Sequence, residues 1–125
     1  MNYPPKPPGT CMKDKATLLM TTVDSDDLAK TVATRLLEKR LAACVQEIRI
    51  NSHYRWDGEL RCEPEVLLLV KTSPGAAAAA MRLIEDIHSY EVPEIIALPV
   101  TAGPPAYLQW LTGEADGVPE NEKPG

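Results

Sequence analysis

Apolar and β-branched side chains run almost without interruption from Ala16 to Val23 and stop at Asp24-Ser25, which predicts a buried strand. Beyond Asp24 the period changes. Leu28, Val32 and Leu36 recur every fourth residue with Ala29 and Ala33 beside them, so one face of a helix over 25–40 is apolar. Asp24 can cap it, Asp26 and Asp27 sit at its positive end, and Lys39 and Arg40 sit at its negative end.

After Leu41 the pattern becomes alternation. Ile48, Ile50, Ser52, Tyr54 and Trp56 share one face, and Glu47, Arg49, Asn51, His53 and Arg55 share the other, up to the turn pair Asp57-Gly58. Leu60 to Thr72 returns as a second strand with Val66 to Val70 as its fully buried part. Ser73-Pro74 opens a second helix carried by Ala76 to Ala80, Met81, Ile84, Ile87 and His88. Ile95 to Val100 forms a last strand that Pro99 confines to an edge or a strand end, and Ala106 to Leu111 adds a short helical turn.

The order β-α-β-β-α-β predicts an α+β, ferredoxin-like domain: an antiparallel sheet with two helices on one face. Its long central hairpin is out of proportion. A strand from Ala43 to Trp56 spans roughly 46 Å at about 3.3 Å per residue, whereas a helix over 25–40 covers roughly 24 Å at about 1.5 Å per residue. The helices cannot cover the whole hairpin, and its distal part carries Ile50, Tyr54, Trp56 and Leu60. Such an arm calls for a partner, most simply another copy of the chain. The alternative is a bulge, with Pro64 as its site, that folds the arm back on its own domain. An ideal two-residue turn would pair Trp56 with Glu59 and Tyr54 with Arg61, placing aromatics beside charges.

A chain of 125 residues with 44% hydrophobic content holds one core. Composition places that domain at 15–111, between a flexible Pro-rich tail at 1–14 and a flexible acidic tail at 112–125. The thirteen Lys and Arg are scattered among eighteen acids, with a net charge of -5, so nothing resembles a nucleic-acid footprint. Cys11, Cys44 and Cys62 form an odd set without CxxC spacing, and the first ten residues lack a signal-peptide core. Both point to a reducing, cytoplasmic setting. No apolar run reaches the roughly 18–20 residues that a membrane span needs.

Candidate chemistry concentrates at His88-Ser89-Tyr90-Glu91-Val92-Pro93-Glu94. Imidazole and carboxylate suit copper or zinc, but the plainer reading is that His88 caps the helix end and the glutamates are solvated. His53 and Cys62 would face each other across an ideal hairpin, as a soft metal pair or by accident. Cys44 reads as a small buried hydrophobe. Nucleophile-elbow, P-loop, dinucleotide and zincin motifs are all missing, which argues against an enzyme. Tyr54, Trp56, Tyr90, Tyr107 and Trp110 either line a cleft between subunits or pack at the interface.

Five stretches together resemble the CutA family, the divalent-cation tolerance proteins. They are Arg40 to Val45, Tyr54 to Glu59, Glu65 to Thr72, His88 to Val100 and Tyr107 to Leu111, so the likeness covers about Ala16 to Leu111. The resemblance implies a tight homotrimer with long strands pairing between subunits, and a cytoplasmic role linked to copper or other divalent cations. It also implies a metal site at Met20, His88 and Glu94. Met20 stands where copper-associated members carry a cysteine, and a neutral thioether suits Cu(I) better than a divalent ion. Ser89 replaces the family's usual proline. By the same likeness Trp56, Lys71, Tyr90 and Glu91 belong to an intersubunit pocket, with Tyr54 and Trp110 as further pocket or interface residues. The competing readings are a PII-like trimer that binds small molecules and a scaffolding trimer with no specific metal site.

Overall fold

The computed structural model describes residues 15–119. Seven elements follow one another: β1 (Ala16–Val23), α1 (Asp26–Glu38), β2 (Cys44–Trp56), β3 (Glu59–Thr72), α2 (Ala77–Ile87), β4 (Ile95–Val100) and α3 (Pro105–Glu114). The four strands form one antiparallel sheet in the order β2-β3-β1-β4.

Alternation along β1 and β3 divides the sheet into two unlike faces. Leu19, Val23, Val66, Leu68 and Val70 point to the side covered by α1 and α2, where they meet Ala29, Val32 and Leu36 of α1 and Ala80, Leu83 and Ile84 of α2. Leu19, Leu36, Leu68 and Ile84 are fully buried, and each such side chain contributes roughly 1.5–3 kcal/mol by leaving water. Thr21 lies on this same side, opposite Leu68 and Ile95. Its buried hydroxyl has no hydrogen-bond partner among the described residues. The other face receives α3 at one end only, where Leu108 and Leu111 cover Ala16 and touch Ala43 and Val100. Two helices share one face as expected, and the helical turn expected over 106–111 is a longer third helix, α3, on the other face.

The hairpin closes through Asp57 at φ 50° and Gly58 at φ 76°, the two left-handed residues that a type I′ turn requires. Pairing then runs unbroken from Trp56↔Glu59 through Tyr54↔Arg61, His53↔Cys62 and Asn51↔Pro64 to Cys44↔Lys71. No bulge forms at Pro64. Its missing N–H is tolerated because β3 has only β2 beside it at that level: β1 stops at Val23↔Val66. From Ile50↔Glu65 to the turn the hairpin projects about 20 Å beyond β1, at roughly 3.3 Å per residue.

Local caps differ from the sequence expectation. Ser25, not Asp24, caps α1, its Oγ accepting from Leu28 N at 3.1 Å. Ser73 instead caps a turn that precedes α2, accepting from Ala76 N at 3.1 Å, so α2 starts at Ala77. At the far end of α1, Leu41 N donates to Leu36 O at 2.8 Å and Arg40 N to Leu37 O at 3.0 Å, a Schellman arrangement with Arg40 at φ 56° where glycine is usual.

Arg40 also corrects the boundary expected at Leu111. Its guanidinium donates to Gly113 O at 2.7 Å, to Asp116 Oδ1 at 3.0 Å and to Glu114 Oε2 at 3.2 Å, while Gly117 N donates to Arg40 O at 2.8 Å. Residues 112–117 are therefore part of the folded body, joined to it through the end of α1. The Pro-rich stretch 1–14 and the end of the acidic stretch, 120–125, lie outside the described residues.

Candidate functional site

The site begins where α2 ends. His88 leaves the helix with an extended backbone, φ -69° and ψ 145°, which turns its ring toward the end of β1. His88 Nε2 lies 2.8 Å from Thr22 O, and Tyr90 N lies 3.1 Å from His88 Nδ1. A carbonyl can only accept and a backbone N–H can only donate, so these partners fix the tautomer with the proton on Nε2. Both ring nitrogens are thereby committed to backbone groups.

Tyr90 continues the chain of contacts. Its ring lies 4.8 Å from that of His88, tilted by 46°, and its hydroxyl donates to Glu65 Oε2 at 2.9 Å. Burial, followed by the hydrogen bond to the Glu65 carboxylate and that group's charge, pushes the phenol well above its ordinary value. The phenol therefore stays a donor throughout the neutral range. Together Thr22, His88, Tyr90 and Glu65 tie the α2–β4 connection to the root of the projecting hairpin. An open groove of about 350 Å³ lies next to Glu65, between Asp24, Asp26 and the hairpin residues Arg49, Ile50 and Pro64. Arg49 bridges it to Asp26 at 2.7 Å.

The other sequence-derived candidates lie apart. Met20 stands opposite Leu69 and Ile96, on the face turned away from α2, whereas Glu91 and Glu94 are exposed in and beside the α2–β4 connection. Among the described residues no group of three or more His, Cys, Asp or Glu side chains could hold a metal ion. Lys71 reaches α3, with Nζ 3.4 Å from Tyr107 Oη and 5.8 Å from the ring centroid. Tyr107 in turn lies 5.7 Å from Trp110. Trp56 and Tyr54 are exposed at the hairpin tip. The Tyr54 phenol is raised from its ordinary value, by partial desolvation first and by the neighbouring Glu63 carboxylate second.

Distances along β3 decide what these residues can do together. Trp56 pairs with Glu59, Tyr90 is anchored at Glu65, and Lys71 is at the opposite end of the strand. At roughly 3.3 Å per residue the three lie about 20 Å apart in succession. No one ligand of ordinary size touches all of them within one chain. Sequence reasoning missed two groups, Arg40 and the Tyr90–Glu65 pair. The signal for Arg40 was the cluster of acids after Leu111, and for Glu65 it was the polar residue beside the apolar run of β3.

A profile of the family described as CutA1 divalent ion tolerance protein matches residues 17–114. The divalent-cation tolerance protein CutA of Thermus thermophilus is 44% identical over 95 residues, covering 75% of this chain and 92% of that protein. A CutA homolog of Xenopus laevis is 43% identical over 100 residues, or 79% of this chain and 64% of that longer protein. The solved structure of the periplasmic divalent cation tolerance protein CutA from Archaeoglobus fulgidus superposes with a TM-score of 0.78 at 33% identity, covering 80% of this chain and 98% of that one. No helix among the described residues is long and apolar enough to cross a membrane.

Proposed function

The chain belongs to the CutA1 divalent ion tolerance family, and from that premise we propose that it works as a non-catalytic homotrimer whose ligand pocket lies between subunits. The observation that carries this reading is the sheet face opposite α1 and α2. Leu18, Met20, Leu67 and Leu69 are only half-buried there, and Ile48, Ile96 and Leu98 are 44%, 49% and 39% exposed. A contiguous apolar face of this kind needs a cover, and α3 supplies one at the Ala16 end alone. The spacing of Trp56, Tyr90 and Lys71 supports the same reading, because only residues from different copies can meet around one ligand. A closed ring of three copies satisfies every such face at once.

Divalent cations, copper among them, associate weakly in this reading, through His88 and the exposed Glu94. Binding at His88 requires the ring to give up Thr22 O or Tyr90 N, and that lost hydrogen bond opposes the metal. Met20 stands two residues before the Thr22 carbonyl that His88 meets, opposite Ile96, and is the third candidate donor of this reading. The commitment of both His88 nitrogens also favours a second reading, a PII-like or scaffolding trimer with no specific metal site. Cytoplasmic residence is supported by the odd cysteine set without CxxC spacing, and cell fractionation checks it.

One experiment separates these possibilities. Sedimentation equilibrium of the full chain, with and without copper, should give three times the chain mass in both conditions; a monomer overturns the proposal. Copper binding lost in a His88→Ala, Glu94→Ala double variant supports the metal reading. Equal binding by that variant and the wild type leaves the small-molecule reading in its place.

A further inference from the structure

The hairpin arm has a second, more polar face, on the same side of the sheet as α1 and α2. It carries Arg49, Asn51, His53 and Arg55 from β2, with Leu60, Cys62 and Pro64 from β3. His53 and Cys62 are register partners on it, both exposed, with Cys62 Sγ 3.6 Å from His53 Nε2. Cys62 is a free thiol. The type I′ turn, closed three pairs away by Trp56↔Glu59, fixes their register, and each strand holds the other's donor in place without a loop or a helix terminus.

We propose that His53 and Cys62 form a two-donor site for a soft cation of the Cu(I) class. Metal–sulfur and metal–nitrogen bonds near 2.3 Å and 2.0–2.1 Å, the values for zinc, would let donors 3.6 Å apart bracket an ion at an angle of about 110°. That angle lies in the range of trigonal and tetrahedral coordination, so neither side chain has to move far. The ion replaces the thiol proton of Cys62 and takes the lone pair of His53 Nε2, with the ring proton moving to Nδ1. Thiolate selects soft ions, and imidazole is compatible with copper. No third His, Cys, Asp or Glu completes a cluster here among the described residues. The pair thus offers two donors among the described residues, and a soft monovalent ion held at this angle would complete a trigonal shell with one exogenous ligand.

The test is an anaerobic titration of the full chain with Cu(I), in competition with a chromophoric Cu(I) chelator. A Cys11→Ser, Cys44→Ser background leaves Cys62 as the sole thiol. That background should bind one Cu(I) per chain, and X-ray absorption should find one sulfur and at least one nitrogen around it. Adding either Cys62→Ser or His53→Asn should weaken binding by about tenfold or more. Both positions are exposed, and circular dichroism checks that the variants remain folded. Undiminished binding after Cys62→Ser overturns the proposal, and so does undiminished binding after His53→Asn, which would reduce the site to a lone thiol. Copper lost on substitution of His88 and Glu94, but not of His53 and Cys62, overturns it as well and leaves the family reading intact.

Discussion

His88 Nε2 lies 2.8 Å from the carbonyl oxygen of Thr22, joining the end of α2 to the end of β1. That bond, with the one from Tyr90 N to Nδ1, makes His88 a structural connector whatever else it binds. Replacing it by Ala leaves a part-buried carbonyl and an amide without partners, at a cost of about 1–3 kcal/mol. Urea unfolding monitored by circular dichroism should detect the loss equally with and without copper. A His88→Ala variant of unchanged stability would mean that the ring is not held there.

Tyr90 sets a pH dependence. Its folded value is raised above 10.0 by burial first and the Glu65 hydrogen bond second. Between the unfolded and folded values the native state holds the proton more tightly, so it binds more protons than the unfolded state and stability falls as pH rises. The contribution is complete below pH 10.0 and declines above it. Tyr90→Phe should flatten the alkaline limb of a stability–pH profile and cost about 1 kcal/mol at neutral pH.

Arg40 combines an unfavourable backbone with several favourable contacts. Its side chain is 13% exposed against Glu114 and Asp116, both more open to water. Arg40→Ala keeps the left-handed φ strain and loses the guanidinium bonds, for an expected loss of about 1–2 kcal/mol. Arg40→Gly loses the same bonds but relieves the strain, and should be more stable than Arg40→Ala by roughly 1 kcal/mol. Hydrogen exchange should find faster opening of residues 112–117 in both variants.

Thr21 offers a gain. Its hydroxyl is buried without a partner among the described residues, on the core side of β1. Thr21→Val keeps the shape and removes the unpaired oxygen, so thermal unfolding should rise, with a stabilisation of about 1 kcal/mol. A fall would reveal a partner for that oxygen.

The apolar sheet face yields a test of assembly. Ile48→Lys with Leu98→Lys places charge on two exposed positions of that face without touching the α1–α2 core. The expected product is a folded monomer by sedimentation and circular dichroism. A variant that still sediments as the wild type does would remove this face from the interface.

The sequence made the sheet legible because its period is local. Alternation from Ile48 to Trp56 and the Asp57-Gly58 turn implied the His53↔Cys62 pairing of an ideal hairpin but left a bulge at Pro64 open, and the unbroken pairing resolves that choice. The polar connections were less visible, since a side chain's type gives its donors and acceptors but not the atoms it meets. His88 looked like a ligand or a cap and instead bonds backbone 66 residues away. Arg40 looked like a dipole-matched surface cation and instead gathers the acidic stretch that composition assigned to a tail. Both partners lie far along the chain, where no periodicity carries information.

The spacing of Trp56, Tyr90 and Lys71 along one strand has a thermodynamic meaning. If a ligand's contacts are divided among three chains, its affinity depends on protein concentration, and dilution weakens it even when no contact has changed. By the same linkage the ligand strengthens the association of the subunits. Occupancy then measures how much of this protein a cell contains as well as how much ligand is present.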